Sequence, residues 1–318
     1  METLRSALEA HQVALYFLAI TTGAALGLAV PAASIFEVVI NPALAVMLFA
    51  TFLQVPLAEI TIAFRNARFI GALVIANFVV IPVVSAGLIQ WLPAEPMLRL
   101  GVLFVLLAPC IDYVITFTHL ARGNARLLLA MTPMLLALQM LLLPVYLNLI
   151  LGGEVSKIVA VEPFLHAFIW LIAMPLALAA AVQASARHSQ AVAQAGALLD
   201  LLPVPATAFV LFVVMASVMP QIGLAQRAAL HAAPIYLAFA LIAPLTGMLA
   251  ARFMRLDAIS ARAVSFSASY RNSLVILPLA FAVPGGAPLL PAVILTQTIV
   301  ELCFLPLYVR LIPRWAKE

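Results

Sequence analysis

Apolar runs of about twenty residues, each ended by charged residues or by a Pro/Gly break, recur along the whole chain. An apolar helix of about 20 residues crosses the hydrocarbon core of a bilayer with every backbone hydrogen bond met internally. The runs predict helices at 13–31, 38–56, 68–92, 98–121 and 126–151, then at 162–183, 200–220, 230–254, 262–284 and 288–311. Ten transmembrane helices with short connections are therefore expected, an all-α integral membrane fold that forms one domain over 1–318. The first run has some features of a secretory signal, with Arg5 before it and Ala32 and Ala33 after it. Glu2 and Glu9 spoil the basic leader and the run is long enough to span, so it reads as the first membrane helix.

Two of the runs share a pattern. "QMLLLPVYL" (Gln139–Leu147) and "ELCFLPLYV" (Glu301–Val309) both read polar residue, four apolar residues, Pro, apolar, Tyr, apolar. The Gln139/Glu301, Pro144/Pro306 and Tyr146/Tyr308 pairs are each separated by 162 residues. Two repeats of five helices follow, the first over about 13–151 and the second over about 162–311. An odd helix number per repeat inserts the halves in opposite directions, and inverted repeats characterise secondary transporters, whose sites lie near the midplane on discontinuous helices.

Polar residues break the apolar pattern at two places, and the same offset relates them. "APCIDYVI" (Ala108–Ile115) interrupts the fourth helix and "YRNSLVIL" (Tyr270–Leu277) the ninth, so that Arg271 is the equivalent of Pro109 in the second half. Pro109 removes a helical hydrogen bond and clashes with the preceding turn. The run "SFSASYRNS" (Ser265–Ser273) is polar all round a helix and is unsuited to lipid. Broken, crossing helices 4 and 9 lining one interior site are expected. Asp112 and Glu301 are carboxylates inside predicted spans, and Arg271 is the one Lys or Arg that lies within a span rather than at its ends. A lone charge near the bilayer centre costs roughly 2.5–3.5 kcal/mol. Pairing of Arg271 with Asp112, with Glu301 or with both would reduce that cost and leave one acid to exchange a proton. Gln54, Asn77 and Gln139 read as hydrogen-bonding links between helices.

Composition narrows the function classes. The chain is 66% hydrophobic and 9% charged, with a mean hydropathy of +1.19, against about 45–50% apolar and 25% charged in soluble domains. The net charge of +4 does not mark a nucleic-acid binder, because the basic residues are not clustered. Of 16 Lys and Arg residues, twelve fall on the side of the two termini and three on the other, with Arg271 inside a span. The positive-inside rule then places both termini in the cytoplasm and the protein in the cell (inner) membrane, surrounded by lipid. Cys110 and Cys303 both lie in apolar spans, with neither disulfide-framework nor zinc spacing. His-Glu-x-x-His and Gly-x-Ser-x-Gly motifs are lacking, which argues against an enzyme. No cofactor and no metal ligand set are expected.

"LAPCIDYVITFTHLARGN" and "SASYRNSLVILPLA" resemble the fourth- and ninth-helix motifs of the bile acid:sodium symporter superfamily, which includes arsenical-resistance permeases. The resemblance covers essentially the whole chain and implies the ten-helix, two-repeat fold. In the sodium-coupled branch the fourth-helix motif runs Pro-Gly-Gly, two variable positions, then Ser-Asn. Pro109 matches, whereas Cys110 and Ile111 stand for the glycines and Val114 and Ile115 for Ser-Asn. On the ninth-helix motif Glu-Thr-Gly-Met-Gln-Asn-Ser, Asn272 and Ser273 persist, but the sodium-ligand Glu is Ser267 and the Gln is Arg271. Sodium coupling is accordingly less expected than proton coupling. The pair Cys110–Ile111 resembles the arsenical-resistance branch, although that branch's ninth-helix Glu is Ser273 here.

A divergent member of that branch would export arsenite, a small molecule, by proton antiport. Cys110 would be the metalloid contact, Arg271, Asn272 and Ser273 would complete the substrate site, and Asp112 or Glu301 would carry the proton. The alternative is an organic-anion carrier in which Arg271 clamps a carboxylate or sulfonate through paired hydrogen bonds.

Overall fold

The computed structural model describes residues 2–55, 64–111, 113–152, 166, 168–186 and 188–316. The described residues are overwhelmingly helical. Among the described residues, six helices are long and apolar enough to cross a membrane: Ala7–Ala29, Pro31–Leu53, Ala67–Trp91, Ala125–Leu151, Ala225–Phe253 and Leu289–Trp315. Shorter apolar helices cover Pro96–Leu106, Met174–Ala186, Pro203–Val218 and Ser273–Ala282. The chain separates into two compact units, each assembled from both halves of the sequence.

The first unit holds 1–55 and 162–224. It contains α1 (Glu2–Ala29), α2 (Glu37–Leu53), α7 (Met174–Ala186), α8 (Gln190–Leu199) and α9 (Pro203–Val218). The sequence "GAALG" sets Gly23 and Gly27 on one face of α1, and that face meets α9 at backbone distance. A Cβ on Gly23 would stand 2.5 Å from the Phe212 carbonyl oxygen, and one on Gly27 2.7 Å from that of Ala216. Small residues four apart allow this approach where lipid supplies no hydrophobic drive for helix association. Side-chain amides then satisfy carbonyls that helix ends leave open. Gln183 Nε2 donates to the Leu53 and Val55 carbonyls at the end of α2, and Gln54 Nε2 donates to that of Asp200 after α8. Gln54 thus forms the interhelical link expected of it.

The second unit holds 56–161 and 225–318. Its helices are α3 (Ala67–Trp91), α4 (Pro96–Leu106), α5 (Val114–Leu120), α6 (Ala125–Leu151), α10 (Ile222–Phe253, from Ala225 on), α11 (Ala258–Ser269), α12 (Ser273–Ala282) and α13 (Leu289–Trp315). The fourth predicted span is broken into α4 and α5, and the ninth into α11 and α12. Prolines inside the longer helices free carbonyls, and tyrosines take them up. Pro82 leaves the carbonyl of Phe78 without its helical donor, and Pro244 does the same to Ala240. Tyr146 Oη on α6 donates to the first of these, and Tyr308 Oη on α13 donates to the second. Both prolines, both carbonyls and both tyrosines are 162 residues apart.

Candidate functional site: the crossing of two broken helices

Pro109 explains the first break. Its ring disfavours helical geometry at Ala108, and it has no N–H to donate. At Pro109 the segment between α4 and α5 pairs with the one between α11 and α12, with Pro109 opposite Arg271 in an antiparallel bridge. The Cys110 N–H donates to the Tyr270 carbonyl at 3.0 Å, and the Asn272 N–H to the Ala108 carbonyl at 2.8 Å. The 162 offset exchanges these two bonds, since it carries Ala108 to Tyr270 and Cys110 to Asn272. Backbone at membrane depth needs such internal partners. The Arg271 N–H, between these two bonds along the chain, donates to Glu301 Oε2 on α13 at 2.7 Å.

Glu301 is 3% exposed and uses both oxygens. Tyr113 Oη donates to Oε1, and Gln297 Nε2, one turn earlier on α13, donates to Oε2 together with the Arg271 N–H. Gln297 Oε1 in turn accepts from Ser273 Oγ at 2.6 Å. A chain of hydrogen bonds therefore runs from the first turn of α12 through α13 to the residue just before α5. Asn272 Oδ1 accepts from the Val275 N–H and caps α12, while its Nδ2 makes no hydrogen bond.

Arg271 points the other way and is 0% exposed. Its Nη1 donates to the Leu106 carbonyl at 3.2 Å. Its Nη2 lies 2.9 Å from Asn77 Oδ1, 2.8 Å from the Ser267 carbonyl oxygen and 2.7 Å from that of Ala268. Asn77 is held in turn by its own Nδ2, which donates to the Leu73 carbonyl and to Ser267 Oγ. The Phe239 ring lies 5.5 Å from the guanidinium carbon, a cation–π distance. Hydrogen bonds from a charged group contribute about 1.5–3 kcal/mol each. One from Nη1 and two from the two hydrogens of Nη2 together outweigh the roughly 2.5–3.5 kcal/mol that an uncompensated arginine costs at the bilayer centre. The two charges therefore meet through the main chain of Arg271, and the guanidinium finds its acceptors elsewhere.

Cys110 is buried at 1% exposure within the crossing, and Cys303 is exposed on α13. Tyr270 lies against Phe117 and Phe266 with nearly parallel rings, and meets Tyr113 and Tyr308 edge-on. Asp112 lies outside the described residues, and so does its expected pairing with Arg271. The structure brings Cys110, Pro109, Arg271, Asn272, Ser273 and Glu301 into one unit. It adds Tyr113, Gln297 and Phe239, which the sequence reading passed over, and it makes Asn77 both the expected interhelical link, to Ser267, and a partner of Arg271. Gln297 was legible as the residue four before Glu301 on the same helix face. Tyr113 and Phe239 carry no sequence signal beyond their aromatic character.

Comparison with known families gives the decisive observation. The family model described as "Sodium Bile acid symporter family" matches residues 41–225, more than half of the chain. The chain belongs to this family. Members of the sodium bile acid symporter family are membrane transporters of small solutes, typically coupled to sodium. This symporter-family chain is thus a multi-pass membrane protein of the transporter class. Among curated proteins no match is found.

Proposed function

We propose that this chain is a secondary carrier of the arsenical-resistance type, exporting arsenite across the inner membrane in exchange for protons, with both termini cytoplasmic. The observation that carries this reading is the crossing itself. The Cys110 N–H bonds to the Tyr270 carbonyl, and the N–H of the next residue, Arg271, bonds to Glu301, the only described buried carboxylate in the spans. Arsenite is the neutral As(OH)₃ at neutral pH, and its arsenic is thiophilic. Condensation with one thiol forms an As–S bond and releases water, and hydrolysis reverses it. Three thiolates would hold arsenic too firmly for turnover. Because Cys110 is buried in this conformation, arsenite contact belongs to another state of the cycle, in which the crossing opens. Glu301, with Tyr113 and Gln297 as its hydrogen-bonding partners, is the proton carrier, and Asp112 is the second candidate for that role. The exchangeable bonds at the crossing and the matched Tyr146 and Tyr308 contacts support two inverted five-helix repeats around this site.

The organic-anion reading gains less from the geometry. The guanidinium of Arg271 already faces four oxygen acceptors, which repel a substrate carboxylate. Transport assays separate the two. In everted vesicles energised by a pH gradient, arsenite accumulation should be lost in Cys110→Ser and in Glu301→Gln. Undiminished uptake in both variants would sink the proposal. The anion reading instead demands that Arg271→Lys abolish transport of an organic anion and that Cys110→Ala leave it intact. Expression should also confer arsenite tolerance on a sensitive host.

A further inference from the structure

The acceptors around Arg271 have a common origin. Leu106 closes α4, and Ser267 and Ala268 lie in the last turn of α11. The carbonyls of a last helical turn have no intrahelical donor, and they carry the negative end of the helix dipole. Two broken helices thus direct their C-terminal oxygens at one guanidinium, Leu106 at Nη1 and Ser267 and Ala268 at Nη2, and Asn77 Oδ1 adds a fourth oxygen from α3, at Nη2. Half-helix C-termini and unwound carbonyls are what carriers with discontinuous helices use to coordinate a coupling cation.

The guanidinium fits this oxygen set imperfectly, in an informative way. Three oxygens crowd on Nη2 at 2.7–2.9 Å, although that nitrogen has only two hydrogens. Nε, which completes the planar fork of a guanidinium, makes no hydrogen bond at all. A site shaped for arginine would match its five donors in a plane. Oxygens gathered about a single centre suit a spherical cation instead. All four are neutral, so the arginine supplies the formal positive charge of this shell. A free sodium ion and Nη2 would compete for the same acceptors, so the surroundings of Arg271 do not fit sodium while this side chain is present.

We propose that Arg271 is a tethered cation that takes the place of an alkali coupling ion in this oxygen cage, so that the cage holds no sodium in the native protein and accepts a free cation once the side chain is shortened. The claim concerns the cage alone and stands apart from the substrate. Its test therefore uses no arsenite and no transport, and its failure is distinct from failure of the export reading.

Thermal unfolding of the purified full-length protein in detergent provides the readout. NaCl is titrated against choline chloride at constant ionic strength. The native protein should show the same midpoint in both salts. Arg271→Gln, whose amide oxygen can join the cage, should gain a saturable sodium-dependent rise of about 2–4 °C or more. Arg271→Ala should show such a rise with millimolar methylguanidinium, which restores the missing group, and the native protein should show none. A saturable sodium-dependent rise in the native protein overturns the proposal, and that measurement needs no variant. Indifference of Arg271→Gln to sodium, or of Arg271→Ala to methylguanidinium, overturns it equally. Should Arg271→Ala not survive purification, Arg271→Gln, the milder change, decides the variant arm.

Discussion

Glu301 and Gln139 stand 162 residues apart on α13 and α6, and they fare differently. Both are buried, but Glu301 holds three donors, whereas neither the amide nitrogen nor the oxygen of Gln139 makes a hydrogen bond. Their counterparts across the crossing explain this. Glu301 satisfies the Arg271 N–H, and the residue 162 positions before Arg271 is Pro109, which has no N–H to be satisfied. The carboxylate answers a main-chain demand that only one of the two breaks creates. Glu301→Leu should therefore lower the thermal midpoint strongly, because the Arg271 N–H, Tyr113 Oη and Gln297 Nε2 each lose an acceptor, at about 1–3 kcal/mol per orphaned group. Gln139→Met removes a buried amide that is already unpartnered, and it should leave the midpoint unchanged or raise it. Thermal unfolding of the two variants side by side checks both signs, and a larger loss in Gln139→Met would contradict the account.

Among the elements, α6 and α13 do the same work by the same means. Each carries a tyrosine that reaches a carbonyl freed by proline in a neighbouring helix, Phe78 in α3 and Ala240 in α10. The gaps that Pro82 and Pro244 leave in helical hydrogen bonding are thereby compatible with burial, since these two carbonyls find a donor in a medium without water. Tyr146→Phe and Tyr308→Phe should each destabilise by about 1–3 kcal/mol, the cost of an orphaned buried acceptor. The double variant should lose close to the sum, because the two contacts share no partner. Denaturant or thermal unfolding of the four proteins in one detergent measures this. Much of this level was legible beforehand. The shared Pro–Tyr spacing marked α6 and α13 as related, and the offset it supplied made Pro109 and Arg271 equivalent positions of the two halves. The carbonyl targets were not legible, because nothing near a tyrosine in sequence says which helix it will face.

At the scale of the molecule, basic side chains gather where the last helix ends. Arg262 donates from Nε and Nη2 to the Ala316 carbonyl, and Arg252 donates from Nη2 to that of Trp315, so that cations sit at the negative end of the α13 dipole. Arg262 Nη1 also reaches the Arg122 carbonyl. These residues lie on the side to which twelve of the sixteen Lys and Arg residues were assigned. With this face cytoplasmic, a fluorescent reporter fused after the C-terminus should be bright, and an alkaline phosphatase fused there should be inactive. Active phosphatase would reverse the orientation and, with it, the direction assigned to export.

The apolar spans, their interruptions and the relation between the two breaks were determined by the sequence alone. A membrane helix closes its own hydrogen bonds, so length and composition suffice to place it, and a proline breaks it wherever the chain puts one. Only the tertiary structure decided how helices from both halves sort into two units. It also decided that Glu301 serves the main chain of Arg271 and that the guanidinium turns to the helix-end oxygens and Asn77. Those outcomes depend on which buried donors and acceptors come within three ångströms of each other, across separations of 30 to 194 residues. No local pattern along the chain encodes such a meeting; only the packing of the helices brings it about.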